Sequence, residues 1–137
     1  MTHRVIIGLI LGAGLSGCTV ETNDRGPIVG ADSGSLVVDW TVDGVKDPDE
    51  CDLSNSTTID IIVTTENGAP AGEYQQSCSV FATTIHLAAG RYTADAVLLD
   101  ESGRERTTAV PIRDFSILGG DQLTIPIDFG ASSFYAP

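Results

Sequence analysis

Apolar and polar residues alternate with a period of two along most of the chain after residue 35. In the first run Leu36, Val38, Trp40 and Val42 share one face, and polar side chains take most of the other. This period is typical of a β-strand with one buried face. Similar runs cover residues 59–63, 74–80, 81–87, 92–98, 104–112 and 123–129. The pattern predicts seven strands, of which the sixth either ends near Ile112 or continues to residue 117 after a kink.

Glycine and small polar residues separate these runs and favour tight turns, as at residues 67–68, 100–103 and 119–121. Between Val80 and Phe81 the apolar parity changes, which predicts a bulge or bend. No window after residue 35 has the 3.6-residue apolar period of a helix. The acidic segment from Lys46 to Thr57 is therefore interpreted as a loop.

Seven short strands separated by turns predict an all-β fold for residues 36–130, a Greek-key sandwich of antiparallel strands. Pro111 and Pro126 lack the N–H group that a central strand needs, so we expect both on edge strands or bulges. The polar, glycine-rich residues 18–35 are interpreted as a flexible linker and residues 131–137 as a tail.

The first 17 residues have a different composition. A short basic start precedes an apolar run over residues 5–15, which is shorter than the ~20 residues that span a bilayer as a helix. The sequence Leu-Ser-Gly-Cys at residues 15–18 follows, and it resembles the lipobox of bacterial lipoproteins. The resemblance implies that residues 1–17 are a signal peptide and that Cys18 becomes the lipidated first residue, with a membrane as its partner. Since Thr19 rather than aspartate follows, it also implies sorting to the outer membrane in a Gram-negative host.

Charge and cysteine content then narrow the classes of partner and the compartment that the sequence allows. Removal of the signal peptide takes one of the seven basic residues and leaves six against 19 acidic ones, a net charge of −13. Nucleic-acid binding needs a basic face, so this charge excludes nucleic acid as a partner. With Cys18 assigned to lipid, Cys51 and Cys78 remain as an even pair in an oxidising compartment, and we expect them to form a disulfide.

A short motif relates the predicted sandwich to known folds. Residues 87–92, Leu-Ala-Ala-Gly-Arg-Tyr, resemble the tyrosine corner of fibronectin type III and of carboxypeptidase-regulatory-like or transthyretin-like domains. The resemblance implies an immunoglobulin-like sandwich in which the Tyr92 hydroxyl caps a backbone group. In antibody domains the tryptophan lies between the two cysteines, whereas Trp40 precedes both Cys51 and Cys78. The whole pattern is similar to that of small lipoproteins of unknown function.

Catalytic residues are scarce after residue 18. His86 is the single histidine there, and no serine lies in a Gly-x-Ser-x-Gly elbow. Carboxylates are numerous enough for a small hydrolase that uses a carboxylate pair, but acidic residues on a solvated surface are the ordinary case. We therefore predict that the protein is not an enzyme and keep the hydrolase as the less favoured alternative.

The acidic segment is the best candidate for a metal site. Asp47, Asp49, Glu50 and Asp52 supply the oxygen ligands that Ca²⁺ prefers. Their spacing does not match an EF-hand, because Cys51 occupies a ligand position and the glycine at position six is missing. The favoured interpretation is a solvated loop fastened by the disulfide. Ca²⁺ binding is the alternative, and no other cofactor is expected.

Val97 and Leu99 are apolar residues on the outward parity of the fifth strand, and Val37 and Ile62 have the same parity elsewhere. If they gather on one sheet, they form a partner-binding patch; burial by loops or register changes is the alternative. We predict a membrane-anchored, extracytoplasmic binding or scaffolding module for an unidentified protein or glycan. A Ca²⁺-dependent adhesion or glycan-binding module is the second hypothesis.

Overall fold

Seven strands form two sheets, which confirms the predicted all-β sandwich. The computed structural model describes residues 32–136, so the predicted signal peptide, Cys18 and most of the linker lie outside the described residues. The strands are β1 (Ser33–Val42), β2 (Thr58–Thr65), β3 (Pro70–Ser77), β4 (Ala82–Ala88), β5 (Gly90–Leu99), β6 (Val110–Ile117) and β7 (Gln122–Phe129). A short helix, α1 (Pro48–Leu53), lies between β1 and β2, and 3-10 turns span Cys78–Val80 and Ala131–Ser133.

Consecutive strands run in opposite directions. Two strands that become neighbours are therefore antiparallel when one is odd-numbered and the other even-numbered, and parallel otherwise. The three-stranded sheet has the order β4-β1-β7, and the four-stranded sheet has the order β3-β2-β5-β6. β1 and β7 are both odd-numbered, so they run in the same direction and pair in parallel, with Ser35 opposite Gln122 and Val42 opposite Phe129. The other described strand pairs are antiparallel. The prediction of antiparallel strands therefore needs one correction, at the β1–β7 pair.

The core lies between the sheets and is built from the predicted inward faces. Leu36, Val38 and Trp40 of β1 have no exposed surface, and the inward residues of β2 and β5 are similarly buried. Along β7 only Phe129 is fully buried, and its other inward residues are partly exposed because β7 is an edge strand. β1, in contrast, has a neighbour on each side and forms the centre of its sheet.

Trp40 connects this core to the segment between β3 and β4. Its indole N–H donates to the carbonyl oxygen of Cys78 at 2.9 Å. Its ring packs against Phe81 with the ring centroids 6.4 Å apart. Phe81 has a φ of 62°, a left-handed conformation that is uncommon for a residue other than glycine. The chain bends there between the 3-10 turn and β4, which confirms the predicted bend after Val80.

The predicted hydrogen bond of Tyr92 is present at the start of β5. The hydroxyl donates to the backbone carbonyl of Ala88 at 2.7 Å, and the ring stacks on Phe115 with centroids 5.8 Å apart. This contact holds the connection between β4 and β5 close to the core. Pro111 and Pro126 also lie where predicted, on the edge strands β6 and β7.

The sixth strand differs from its prediction. It spans Val110–Ile117 and does not begin at Arg104. The Arg106 N–H donates to the Leu98 carbonyl at 2.7 Å, and the buried Thr107 hydroxyl accepts from the Leu98 N–H at 3.0 Å. Because Thr107 accepts this bond with its side chain, the backbone hydrogen bonding to β5 is interrupted there. Residues 100–109 therefore form the connection between β5 and β6.

The acidic segment also differs, because it contains α1. The side chain of Asp47 accepts a hydrogen bond from the Asp49 N–H at 3.0 Å, and Pro48 occupies the first helical position. Both are common features of a helix start. The six residues of α1 are too few to show a 3.6-residue apolar period, so the pattern alone predicted a loop.

Candidate functional site

The two ends of the sandwich differ in what they present. β1 begins at Ser33, so the predicted linker joins at one end, which we call the linker end. The opposite end, the distal end, consists of residues 43–57, 78–81, 100–109 and 130–136. Its segments are bonded to one another: Arg106 Nε donates to the Ser54 carbonyl at 3.2 Å, and the Tyr135 N–H donates to the Arg106 carbonyl at 2.9 Å. The distal end is therefore one connected surface.

A disulfide fastens α1 to the body of the sandwich. Cys51 of α1 and Cys78 after β3 are joined as predicted, with their Cα atoms 6.1 Å apart and both side chains buried. The Trp40 indole N–H holds the Cys78 carbonyl from the core side. The disulfide thus gives α1 a defined position at the distal end.

The four predicted metal ligands do not form a common site. Asp47 caps α1, Asp49 and Asp52 are exposed, and Glu50 is half-buried. Successive residues of an α-helix point about 100° apart, which spreads these carboxylates around α1. Among residues 32–136, no three His, Cys, Asp or Glu side chains are grouped in a way that holds a metal ion. The four carboxylates are therefore not arranged as one ligand set in this structure.

Exposed apolar side chains concentrate at the distal end. Of six large apolar side chains that are exposed in the described part of the chain, four lie there: Val45 at 45%, Leu53 at 79%, Val80 at 50% and Tyr135 at 46%. Leu53 is the most exposed of all and ends α1. Val45, Leu53 and Tyr135 lie outside the alternating runs, so the pattern could not identify them. Val80 ends the run at residues 74–80, but it lies in the 3-10 turn after β3 and is exposed.

A cleft of about 230 Å³ lies between α1 and the C-terminal segment. Val42, Leu53 and Phe134 supply apolar surface, and Asp43 and Glu50 supply carboxylates. The C-terminal side is held in place because the Thr108 N–H donates to the Ser133 carbonyl at 2.8 Å. Such a cleft suits an apolar side chain that has a cationic group next to it.

The turn after β5 holds an ionised carboxylate at the distal end, paired with Arg104 at 3.3 Å. Asp100 Oδ1 accepts from the Ser102 hydroxyl at 2.7 Å and from the N–H groups of Ser102 at 2.9 Å and Arg104 at 3.0 Å. These bonds, first among them that of the Ser102 hydroxyl, lower the pKa of Asp100 to about 2. The carboxylate is therefore ionised at neutral and mildly acidic pH.

Val97 and Leu99, the predicted partner-binding residues, are buried, with 8% and 9% of their surface exposed. Their outward parity is as predicted, but β2 flanks this part of β5 on one side and the connection at residues 105–107 flanks it on the other. Val97 is opposite Asp60 on β2, and Leu99 is flanked by Thr58 and Glu105. Side chains on both sides thus shield them, and the prediction of a patch at these two residues is wrong.

His86 contacts a serine that the sequence did not suggest. Its Nδ1 lies 3.2 Å from the Ser35 hydroxyl, because β1 and β4 place these two residues directly opposite each other. Both side chains lie on the outer surface near the linker end, beside Asp121. Within residues 32–136, no carboxylate is hydrogen-bonded to the His86 ring. The pair therefore lacks the third group that orients a catalytic histidine.

No known protein family matches this chain, and no curated protein matches it. Two crystal structures of Bacteroides thetaiotaomicron proteins have limited similarity to it. One is described as a proposed polysaccharide-binding protein, with a TM-score of 0.46 and 11% identity over 69% of this chain and 46% of that one. The other is a leucine-rich repeat protein, with a TM-score of 0.43 and 16% identity over 84% of this chain and 15% of that one. This chain therefore spans less than half of either protein, and neither similarity assigns it a family or a ligand.

Proposed function

We propose that the protein is a non-catalytic binding module, anchored outside the cytoplasm by lipid on Cys18, that presents its distal end to a partner protein. The observation that supports this most is the difference between the two ends. The linker joins at Ser33, whereas four of the six exposed large apolar side chains lie at the opposite end. Exposed apolar side chains that gather at one end of a domain commonly mark an interaction site.

The length of β1 separates the distal end from the point at which the predicted linker joins the sandwich. The ten residues of β1 extend about 33 Å. The distal end is therefore the part of the domain farthest from Ser33, and we take it as the part presented to a partner. Within residues 32–136 no helix is long and apolar enough to cross a bilayer.

The composition of the distal end favours a protein over a glycan. Val45, Leu53 and Val80 are aliphatic, and Tyr135 is the one large aromatic residue among the exposed apolar residues described. Trp40 is fully buried and is not available to stack on a ligand. A partner segment with apolar side chains and neighbouring Lys or Arg would fit the aliphatic residues and the carboxylates of Asp43 and Glu50. A glycan-binding module is the second candidate.

Leu53 provides the test of the binding surface. We expect Leu53→Glu to reduce in-cell crosslinking to a defined partner by at least about tenfold, because buried anchor residues carry most of an interface's binding energy. Leu118→Glu is the matched control, since Leu118 is 61% exposed at the linker end. Both variants should keep the thermal midpoint of the wild type, because exposed side chains contribute little to stability. Equal crosslinking by all three proteins would contradict the proposed surface.

Cys18 provides a separate test of the anchor. We expect radiolabelled palmitate to enter the wild-type chain and not Cys18→Ala, because the thiol is the site to which the lipid would attach. The variant should then leave the membrane fraction, since hydrocarbon chains are the anchor. Label that remains in Cys18→Ala would disprove lipidation at this residue and leave the Leu53 result unaffected.

A further inference from the structure

Asp60 is a buried carboxylate on the outer face of the four-stranded sheet. It lies on β2 between Gln75 of β3 and Val97 of β5, and 7% of its surface is exposed. Its Oδ1 atom is buried and has no hydrogen-bond partner. Buried polar atoms are nearly always paired, so an unpaired carboxylate oxygen needs an explanation.

The charges around Asp60 are negative. Glu73 on β3 is close enough to interact with it directly, and Glu105 adds a weaker repulsion. Among residues 32–136, the ion pairs are Lys46 with Asp39, Arg91 with Glu66, and Arg104 with Asp100, so none of them involves Asp60 or Glu73. Burial raises the pKa of Asp60, and so do the charge of Glu73 and a side-chain hydrogen bond with Glu73, whereas a side-chain hydrogen bond with Gln75 lowers it.

We propose that Asp60 and Glu73 bind a divalent cation of the Ca²⁺ class on this face of the sheet. Buried charges in proteins are paired or coordinate metal ions, and no cationic side chain pairs with Asp60 among the described residues. The unpaired Oδ1 provides a free ligand atom, and the exposed Glu73 provides a second carboxylate together with access from solvent. This site is separate from α1 and from the distal end.

The ligand set predicts weak binding. Two carboxylates supply only part of the six to eight oxygen ligands that Ca²⁺ takes, so water fills the other positions. A dissociation constant of about 0.1 to 1 mM follows, in the range of extracellular Ca²⁺ modules. Such a site would be occupied outside the cell and would stabilise the sheet by mass action.

The test is thermal unfolding of the full chain, purified in detergent, in EDTA and in about 10 mM CaCl₂ at constant ionic strength. We expect Ca²⁺ to raise the midpoint of the wild type by about 5 to 10 °C. Asp60→Asn and Glu73→Gln should each reduce this shift to below about 1 °C. Glu73 is exposed, so Glu73→Gln keeps the test valid even if Asp60→Asn folds poorly.

Asp49→Asn and Glu50→Gln are the matched controls, because each removes one charge from α1 by the same chemical change. Both control variants should retain the full rise in the unfolding midpoint that Ca²⁺ causes in the wild type. A wild type that does not respond to Ca²⁺ would overturn the proposal, and so would a shift that persists in Asp60→Asn and Glu73→Gln. A shift that all four variants lose equally would indicate general screening of the acidic surface and would also overturn it.

Discussion

Replacing Trp40 with alanine is expected to lower the free energy of unfolding by about 3 to 5 kcal/mol. The ring has no exposed surface, packs on Phe81 and lies at the centre of the three-stranded sheet. Its loss leaves a large cavity and also leaves the Cys78 carbonyl without the indole N–H that it accepts from at 2.9 Å. Urea unfolding followed by circular dichroism measures the change.

Two further variants identify the cause of that loss. Trp40→Phe keeps most of the ring but removes the N–H group, so we expect a smaller loss of about 1 to 3 kcal/mol from the unsatisfied carbonyl and the lost volume. Tyr135→Ala truncates an aromatic residue that is 46% exposed, and it should change the free energy by less than about 1 kcal/mol. A Trp40→Ala loss below about 1 kcal/mol would contradict the buried position of the ring.

The sequence predicted the strands wherever one face is buried and the side-chain period is regular. In β1, Leu36 to Val42 alternate without interruption, and their inward residues form the core. Tyr92 was identified by a different signal, a short motif whose hydroxyl bond depends on neighbours close in sequence. Both signals depend on residues that are close in sequence, so the prediction succeeded for β1 and for Tyr92.

The prediction failed where contacts distant in sequence decide the outcome. The start of β6 depends on Thr107, whose hydroxyl replaces a ladder bond to Leu98. The burial of Val97 depends on its position between Asp60 of β2 and the connection that follows β5, which the alternation of side chains does not indicate. The parallel β1–β7 pair likewise depends on which strands become neighbours.

The candidate sites were only partly accessible to sequence reasoning. The acidic segment was identified by its charge, but Asp47 caps a helix, and Asp60 sits on an outward position that looked ordinary. Its significance depends on burial and on an unpaired oxygen, neither of which has a sequence signal. Leu53 lies in a segment without periodicity, so its 79% exposure became apparent only from the fold.

Removing the disulfide is expected to have the other large effect on stability. The double variant Cys51→Ala/Cys78→Ala should lose about 3.5 kcal/mol, since the bond closes a loop with a sequence separation of 27 and restricts the unfolded chain. Alanine suits both positions because both side chains are buried. Urea unfolding of the double variant and of the wild type, the latter with and without reductant, measures the loss.

The disulfide variant also separates global stability from the order of the distal end. Because Cys51 is the covalent link between α1 and Cys78, we expect amide hydrogen exchange in Pro48–Leu53 to increase more than in β1 or β2. Leu53 would then lose its defined position, so crosslinking to a partner should fall even where the sandwich remains folded. A variant with faster exchange throughout and no preference for α1 would show instead that the bond acts only through the unfolded state. Unchanged unfolding free energy would contradict the predicted contribution of the bond.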